Sequence, residues 1–120
     1  MKRWLLVLAL FLTPIPLWAS DWTRTDVAFE AAYLTLHVVD WGQTLDIVNR
    51  HKIYHERNPI LGTHPDRDEV NTYFALTALA HVAIANWLDN PNRRYFQVIT
   101  IGVEAVVAGN NYRIGLRTAF

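Results

Sequence analysis

A chain of 120 residues holds one domain, and at 52% hydrophobic and 18% charged residues it is too apolar to remain disordered. Eleven Lys and Arg balance eleven Asp and Glu, so the zero net charge excludes the basic footprint of a nucleic-acid binder. There is no cysteine, which removes disulfides, thiolate metal sites and cysteine nucleophiles.

The first nineteen residues read as a secretory signal. Lys2 and Arg3 form a charged start, Trp4 to Leu12 a short apolar run, and Thr13-Pro14-Ile15-Pro16 a break before the small residue Ala19. The apolar run is well short of the about 20 residues that span a bilayer. Cleavage is expected after Ala19; uncleaved, the segment is a fourth, N-terminal anchor. In either case Ser20 to Thr25 lie outside the cytoplasm.

A first helix is expected over 26–50. Thr23-x-x-Asp26 has the form of a capping box, and Val27 to Val48 is long enough to cross about 30 Å of hydrocarbon. Along it Glu30, Tyr33, His37, Asp40 and Thr44 are spaced +3, +4, +3, +4. At 100° per residue they fall within roughly 80° of arc, while the remaining surface is mostly apolar. A helix in water shows the reverse, a wide polar face and a narrower apolar one. Asp40 lies near the middle of the span, and Gly42 beside it leaves room for another backbone.

The stretch 50–67 turns polar and is broken by Asn58-Pro59, Gly62 and Pro65, which marks a loop. Within it Glu56-x-Asn58-Pro59-x-Leu61-Gly62 reads as a rigid turn, with Gly62 free to take positive φ. His51 and His55, four residues apart, are weak zinc candidates with Glu56 and His64 nearby. No third ligand stands at a diagnostic spacing, so no metal site and no cofactor is assigned.

A second helix is expected over 68–88, opened by Asp66-x-x-Glu69; from Val70 to Leu88 its only ionisable side chains are His81 and Tyr73. Asp89-Asn90-Pro91-Asn92 is a tight connector with Pro91 suited to the first helical position, making an antiparallel hairpin. The third helix is expected over 92–109, closed by Gly109, with Gln97, Thr100, Glu104 and Asn111 repeating the polar line. In the tail 110–120, Tyr112, Ile114, Leu116, Thr118 and Phe120 alternate with Arg113, Gly115, Arg117 and Ala119. That alternation also fits the last strand of a small outer-membrane barrel, with Gln97 to Ala108 as its partner strand. The Ala-rich run Phe74 to Ala85 favours helix.

Helices apolar outside and polar along one seam belong in lipid with the seams facing one another. The expected fold is therefore all-α, a membrane bundle of three transmembrane helices after an N-terminal signal peptide. Loop charges give a separate check. With Ser20 to Thr25 outside, Lys2, Arg3, Arg50, Lys52, Arg57, Arg67, Arg113 and Arg117 fall on the cytoplasmic side, and only Arg24, Arg93 and Arg94 on the outer side. This obeys the positive-inside rule and puts the C-terminus in the cytoplasm and the mature N-terminus in the periplasm of a bacterial inner membrane.

Asp40-x-x-x-Thr44 in a first helix, then Glu56-x-Asn58-Pro59-x-Leu61-Gly62, then an apolar hairpin, resembles a group of small prokaryotic and phage-borne multi-spanning membrane proteins of unassigned function. The likeness covers Asp40 to Ala85. It implies a helical membrane bundle in which Asp40, Thr44, Glu56, Asn58 and Pro59 matter, and it supplies no substrate or reaction.

Three functions compete. The first is an inner-membrane protein working by protein–protein contact in the bilayer, with a protein partner or with itself. The second is an oligomeric binding, transport or pore-forming element built on the intramembrane set Glu30, His37, Asp40, Thr44, His81 and Glu104. The third, an intramembrane enzyme with a His–carboxylate pair, has no motif for nucleophile, phosphate or metal, and no catalytic residue is assigned. For the polar set, the plainer role is interhelical hydrogen bonding, worth about 0.6 kcal/mol per bond in a bilayer.

Overall fold

A computed structural model describes residues 21–50, 54, 56, 58–62 and 64–120. The expected signal segment, Lys52, Arg57, and the two zinc candidates His51 and His55 lie outside the described residues. Three helices follow in order, α1 (Arg24–Asn49), α2 (Arg67–Trp87) and α3 (Asn92–Arg113), and among the described residues there is no strand.

The starts of α1 and α2 are set locally. Thr23 caps α1, its hydroxyl accepting the Asp26 N–H at 3.1 Å while the Asp26 carboxylate accepts the Thr23 N–H at 3.0 Å. Asp66 caps α2 by accepting the Glu69 N–H at 2.8 Å. Pro91 precedes α3 as its cap residue, one position earlier than expected.

The end of α3 differs from expectation. The helix runs through Gly109 to Arg113 and closes at Gly115, whose φ is +105°. Gly115 N–H donates to Tyr112 O and Leu116 N–H to Asn111 O, the paired bonds of a Schellman motif. Leu116, which follows, is buried. Gly109 has no tertiary neighbour at its Cβ position, so nothing there stops the helix. The barrel alternative is corrected by the same observation: Gln97 to Ala108 is helical, and 114–120 forms no strand.

α1 is the centre of the bundle. It packs most extensively on α3, less on α2, while α2 and α3 meet only slightly. α1 and α3 run parallel, with Glu30 facing Gln97 and Asp40 facing Asn111, and α2 runs against both. The apolar core is small and lies at the loop end, where Leu45, Leu61, Val70 and Phe74 cluster with Trp41, Val48 and Tyr73 against them.

The tail folds back across α1 as an extended strap. Asp46 accepts the Arg117 N–H at 2.9 Å, the Gly42 carbonyl accepts the Ala119 N–H at 3.0 Å, and Phe120 meets Trp41 edge-on. A Cβ on Gly42 would stand 2.7 Å from the Phe120 ring and 2.8 Å from Thr118 Cβ. Gly42→Ala is therefore expected to lift the strap, freeing the backbone around Arg117 and costing about 1–3 kcal/mol. Faster tryptic cleavage after Arg117 than in the wild type, by mass spectrometry, is the check.

Candidate functional site

Along the middle of the helices the buried line is largely polar and the exposed flanks are largely apolar. Asp26, Glu30, Tyr33, His37, Asp40 and Thr44, one heptad line of α1, are all buried, as are His81, Arg93 and Gln97 from the other helices. On the outside stand Val27, Val38, Leu79, Val82, Ile84, Val98, Ile99, Val103 and Val106, the last 73% exposed.

Asp26 organises the hairpin end. Its carboxylate accepts from Arg93 at 3.0 Å, Arg94 at 2.7 Å and Asn90 at 3.1 Å, in addition to its cap bond. Arg93 and Asp26 are both fully buried. Arg93 also donates to the Ala85 carbonyl at 2.7 Å and lies over the Trp22 ring, so its charge is met from three elements. Sequence reasoning counted Arg93 among the outer-side charges; its partner is too distant along the chain for spacing to reveal.

One turn further in, His81 bridges α1 and α3. Its Nδ1 lies 2.6 Å from Glu30 Oε1 and its Nε2 2.7 Å from Thr100 Oγ1. Gln97 donates to the second Glu30 oxygen at 3.0 Å, and Tyr33 and Phe96 stack on the imidazole. His37 turns toward α2, with Nε2 2.9 Å from Thr77 Oγ1 and 3.1 Å from Phe74 O. Its Nδ1 lies 3.4 Å from the Tyr33 hydroxyl and 3.7 Å from Glu104 Oε1.

Toward the loop end the packing opens into a cavity of about 630 Å³ between α1, α3, the loop and the tail. Asp40 and Thr44 line it from α1, Glu56, Asn58 and Pro59 from the loop, and Glu104 and Asn111 from α3. Asn111 donates to Asp40 at 3.2 Å, and Thr44 donates to the Asp40 backbone carbonyl at 2.9 Å. The Asp40 and Glu104 carboxyl groups meet in a side-chain hydrogen bond at the cavity wall. The loop is held by its own turn chemistry: Glu56 accepts the Asn58 N–H at 3.0 Å, Asn58 accepts the Ile60 N–H at 2.9 Å, and Gly62 has φ +82°. Asn58 also bonds the Tyr73 side chain, tying the loop to α2.

The expected set is thus divided in two. Glu30 and His81 form a closed pair away from the cavity, while Asp40, Thr44 and Glu104 border it together with Glu56, Asn58 and Pro59; Gly62 lies beyond its lining. Below the cavity Arg50 pairs with Asp46 and donates to the Gly115 carbonyl at 2.9 Å, and the Asp46 carboxylate raises the Arg50 guanidinium above its ordinary pKa. Tyr54 donates to the Ile114 carbonyl at 2.9 Å. His64 is exposed, and among the described residues no three His, Asp or Glu side chains converge on a metal position.

Asp26→Asn leaves the buried Arg93 charge without its counter-ion, and a loss of about 3 kcal/mol is expected. Arg94→Ala removes a partner whose side chain is 31% exposed and is expected to cost less than about 1 kcal/mol. Thermal unfolding of the two purified variants beside the wild type separates them; equal losses would reject the central place given to the Asp26–Arg93 pair.

No family model, no curated protein and no solved structure matches this chain.

Proposed function

We propose that this chain is a small integral membrane protein whose three helices cross a bacterial inner membrane and whose polar interior serves as a binding element. The observation that carries this reading is the inverted burial: carboxylates, histidines and an arginine inside, valines, leucines and isoleucines outside. In water that arrangement would expose a long list of large apolar side chains while desolvating four carboxylates and an arginine, the opposite of what drives folding. In hydrocarbon it is the stable one.

None of the three helices is both long and apolar enough to cross a membrane on its hydropathy alone. Their lengths are 26, 21 and 22 residues, roughly 30–40 Å at 1.5 Å per residue, so it is apolarity that falls short. The seam residues lower the average, and they face the interior, where they would not meet lipid. Exposed aromatics add support. Trp87 and Tyr95 mark the hairpin end and Tyr112 and Phe120 the tail end, with Tyr95 and Tyr112 roughly 26 Å apart along α3. The resemblance to small prokaryotic and phage-borne membrane proteins points the same way, because its residues Asp40, Thr44, Glu56, Asn58 and Pro59 border one cavity. In the orientation given by loop charge, that cavity faces the cytoplasm.

A second reading, contact with a partner helix or another copy, is favoured by the outer face of α3. Val98, Ile99, Val103 and Val106 are exposed there, and Gly102 has open space at its Cβ position. Both readings require the bilayer.

The expected outcome in a bacterial host is that the protein stays in the membrane pellet after alkaline carbonate and dissolves only with detergent. A fluorescent reporter fused after Phe120 should be active, and a periplasm-dependent phosphatase fused there inactive. Release by carbonate would overturn the membrane reading, and the opposite reporter pattern would overturn its orientation.

A further inference from the structure

The partners of the two buried histidines differ in what they can accept and donate. At His81, Nε2 lies 2.7 Å from the Thr100 hydroxyl, which has a single proton to give. That hydroxyl also lies 2.8 Å from the Phe96 carbonyl and 3.1 Å from the Gln97 carbonyl of its own helix, and neither carbonyl can donate. The Thr100 proton therefore goes back to the helix, and the oxygen is left to accept from His81. On the other side of the ring, Nδ1 stands 2.6 Å from Glu30 Oε1. The second Glu30 oxygen accepts the Gln97 amide at 3.0 Å, as an ionised carboxylate does. Both ring nitrogens of His81 face acceptors.

His37 is the contrast. Its Nε2 meets the Phe74 carbonyl at 3.1 Å and the Thr77 hydroxyl at 2.9 Å, and Thr77 in turn donates back to the Tyr73 carbonyl at 2.8 Å. That nitrogen must donate. Its Nδ1 stands 3.4 Å from the Tyr33 hydroxyl, which can donate to it, and 3.7 Å from Glu104 Oε1, outside hydrogen-bond range. One ring proton satisfies His37, whereas His81 needs two.

We infer that the Glu30–His81 pair is a proton-binding site: His81 carries a second ring proton, as an imidazolium facing the Glu30 carboxylate, and this bound proton locks α2 to both α1 and α3. Three further observations agree. The 2.6 Å separation is short, as charge-assisted bonds are. Aromatic faces lie against the ring, Tyr33 with centroids 3.4 Å apart and Phe96 at 4.4 Å, both within reach of a cation–π attraction. The two side chains are only 4% and 8% exposed, so either charge alone would be costly there, and as a pair they cancel. Around the ring α1 presents Glu30 and Tyr33, and α3 presents the uncharged Thr100 and Phe96. Arg93 on α3 acts on Glu30 across space, and its own charge is met by Asp26.

The lock matters because α2 and α3 otherwise meet only slightly, and His81 touches both neighbours at once. Loss of the second proton, as pH rises, sets a nitrogen lone pair against an acceptor at one side of the ring and releases α2 there.

The test does not depend on the bilayer. The full chain, with its histidine ring nitrogens isotopically labelled, is read by NMR in an uncharged maltoside detergent at neutral pH, and His81→Gln identifies the His81 signals by their loss. Both His81 nitrogens are expected in the protonated range, and His37 with Nε2 protonated and Nδ1 bare. A bare nitrogen on His81 in the wild type would overturn the proposal, and that reading needs no variant to fold. Glu30→Gln isolates the proton, since its amide can accept from Gln97 and donate to His81 Nδ1 while carrying no charge. In that variant His81 should show a bare Nδ1, and hydrogen exchange of the α2 amides from His81 to Trp87 should be at least about tenfold faster, with Val70 to Phe74 unchanged. A second proton persisting on His81 in Glu30→Gln would overturn the pairing, and unchanged exchange beside a neutral His81 would overturn the lock.

Discussion

A charge buried inside a protein is tolerable only where other parts of the chain bring it partners, and that constraint sets the geometry of this bundle. Asp26 on α1 receives Arg93 and Arg94 from α3 and Asn90 from the connector, all more than sixty residues away. Glu30 receives Gln97 and His81, and Asp40 receives Asn111. The separations along α1 and α3 stay nearly constant, 67 for Asp26–Arg93, 67 for Glu30–Gln97 and 71 for Asp40–Asn111. A slide of either helix by one turn would break all three together. Such bonds are individually weak, about 0.6 kcal/mol each in lipid. Their joint effect is to define one register for helices that share only a small apolar core near the loop.

Much of this was legible because it is local or periodic. The heptad line on α1 identified the buried face of that helix, and Thr23, Asp26 and Asp66 marked two helix starts through bonds spanning three residues. Gly42 was read as a place for a close backbone, and the strap crosses there. What was not legible depends on partners distant in the chain. Gly109 and Gly115 are equally plausible helix stops by composition; Gly115 takes the role because Leu116 behind it is buried and Arg50 and Asp46 hold the backbone that follows. The tail's alternation, which imitates a strand, reflects an extended segment lying across a helix with one edge bonded to it. Arg93 was counted with the outer loop charges, and only the fold shows that it faces Asp26. The cavity was equally hidden, since it joins α1, the loop and α3 through residues spread from Asp40 to Leu116.

Hydropathy and burial lead to different pictures here, and the difference has a physical origin. An average over a helix counts every side chain alike, whichever way it points. In a bundle of three the seam is a large share of each helix, so Glu30, His37, Asp40 and His81 depress the average although all four are buried. Burial by direction is the quantity a bilayer would sense, and by that measure the exposed flanks of the helices between their ends are mostly aliphatic. The reading of the chain as a membrane protein draws on this directional pattern rather than on the mean.

The two ends of the seam then differ in a way that bears on function. At the hairpin end the polar side chains pair densely: Asp26 has several donors, Arg93 has an anion, a carbonyl and an aromatic face, and Glu30 has two partners, with Arg94 Nε and Gln97 Oε1 left over. That end is cement. At the loop end the same seam meets a cavity, with Asp40 bonded to Asn111 and to the Glu104 carboxyl, and the Glu56–Asn58 turn on the lining. A chain this short could have ended its seam as tightly at the second end as at the first, with another arginine in place of a valine on α3. It instead surrounds the opening with acids, aromatics and a stiff turn, so one seam packs tightly at Asp26 and opens at Asp40.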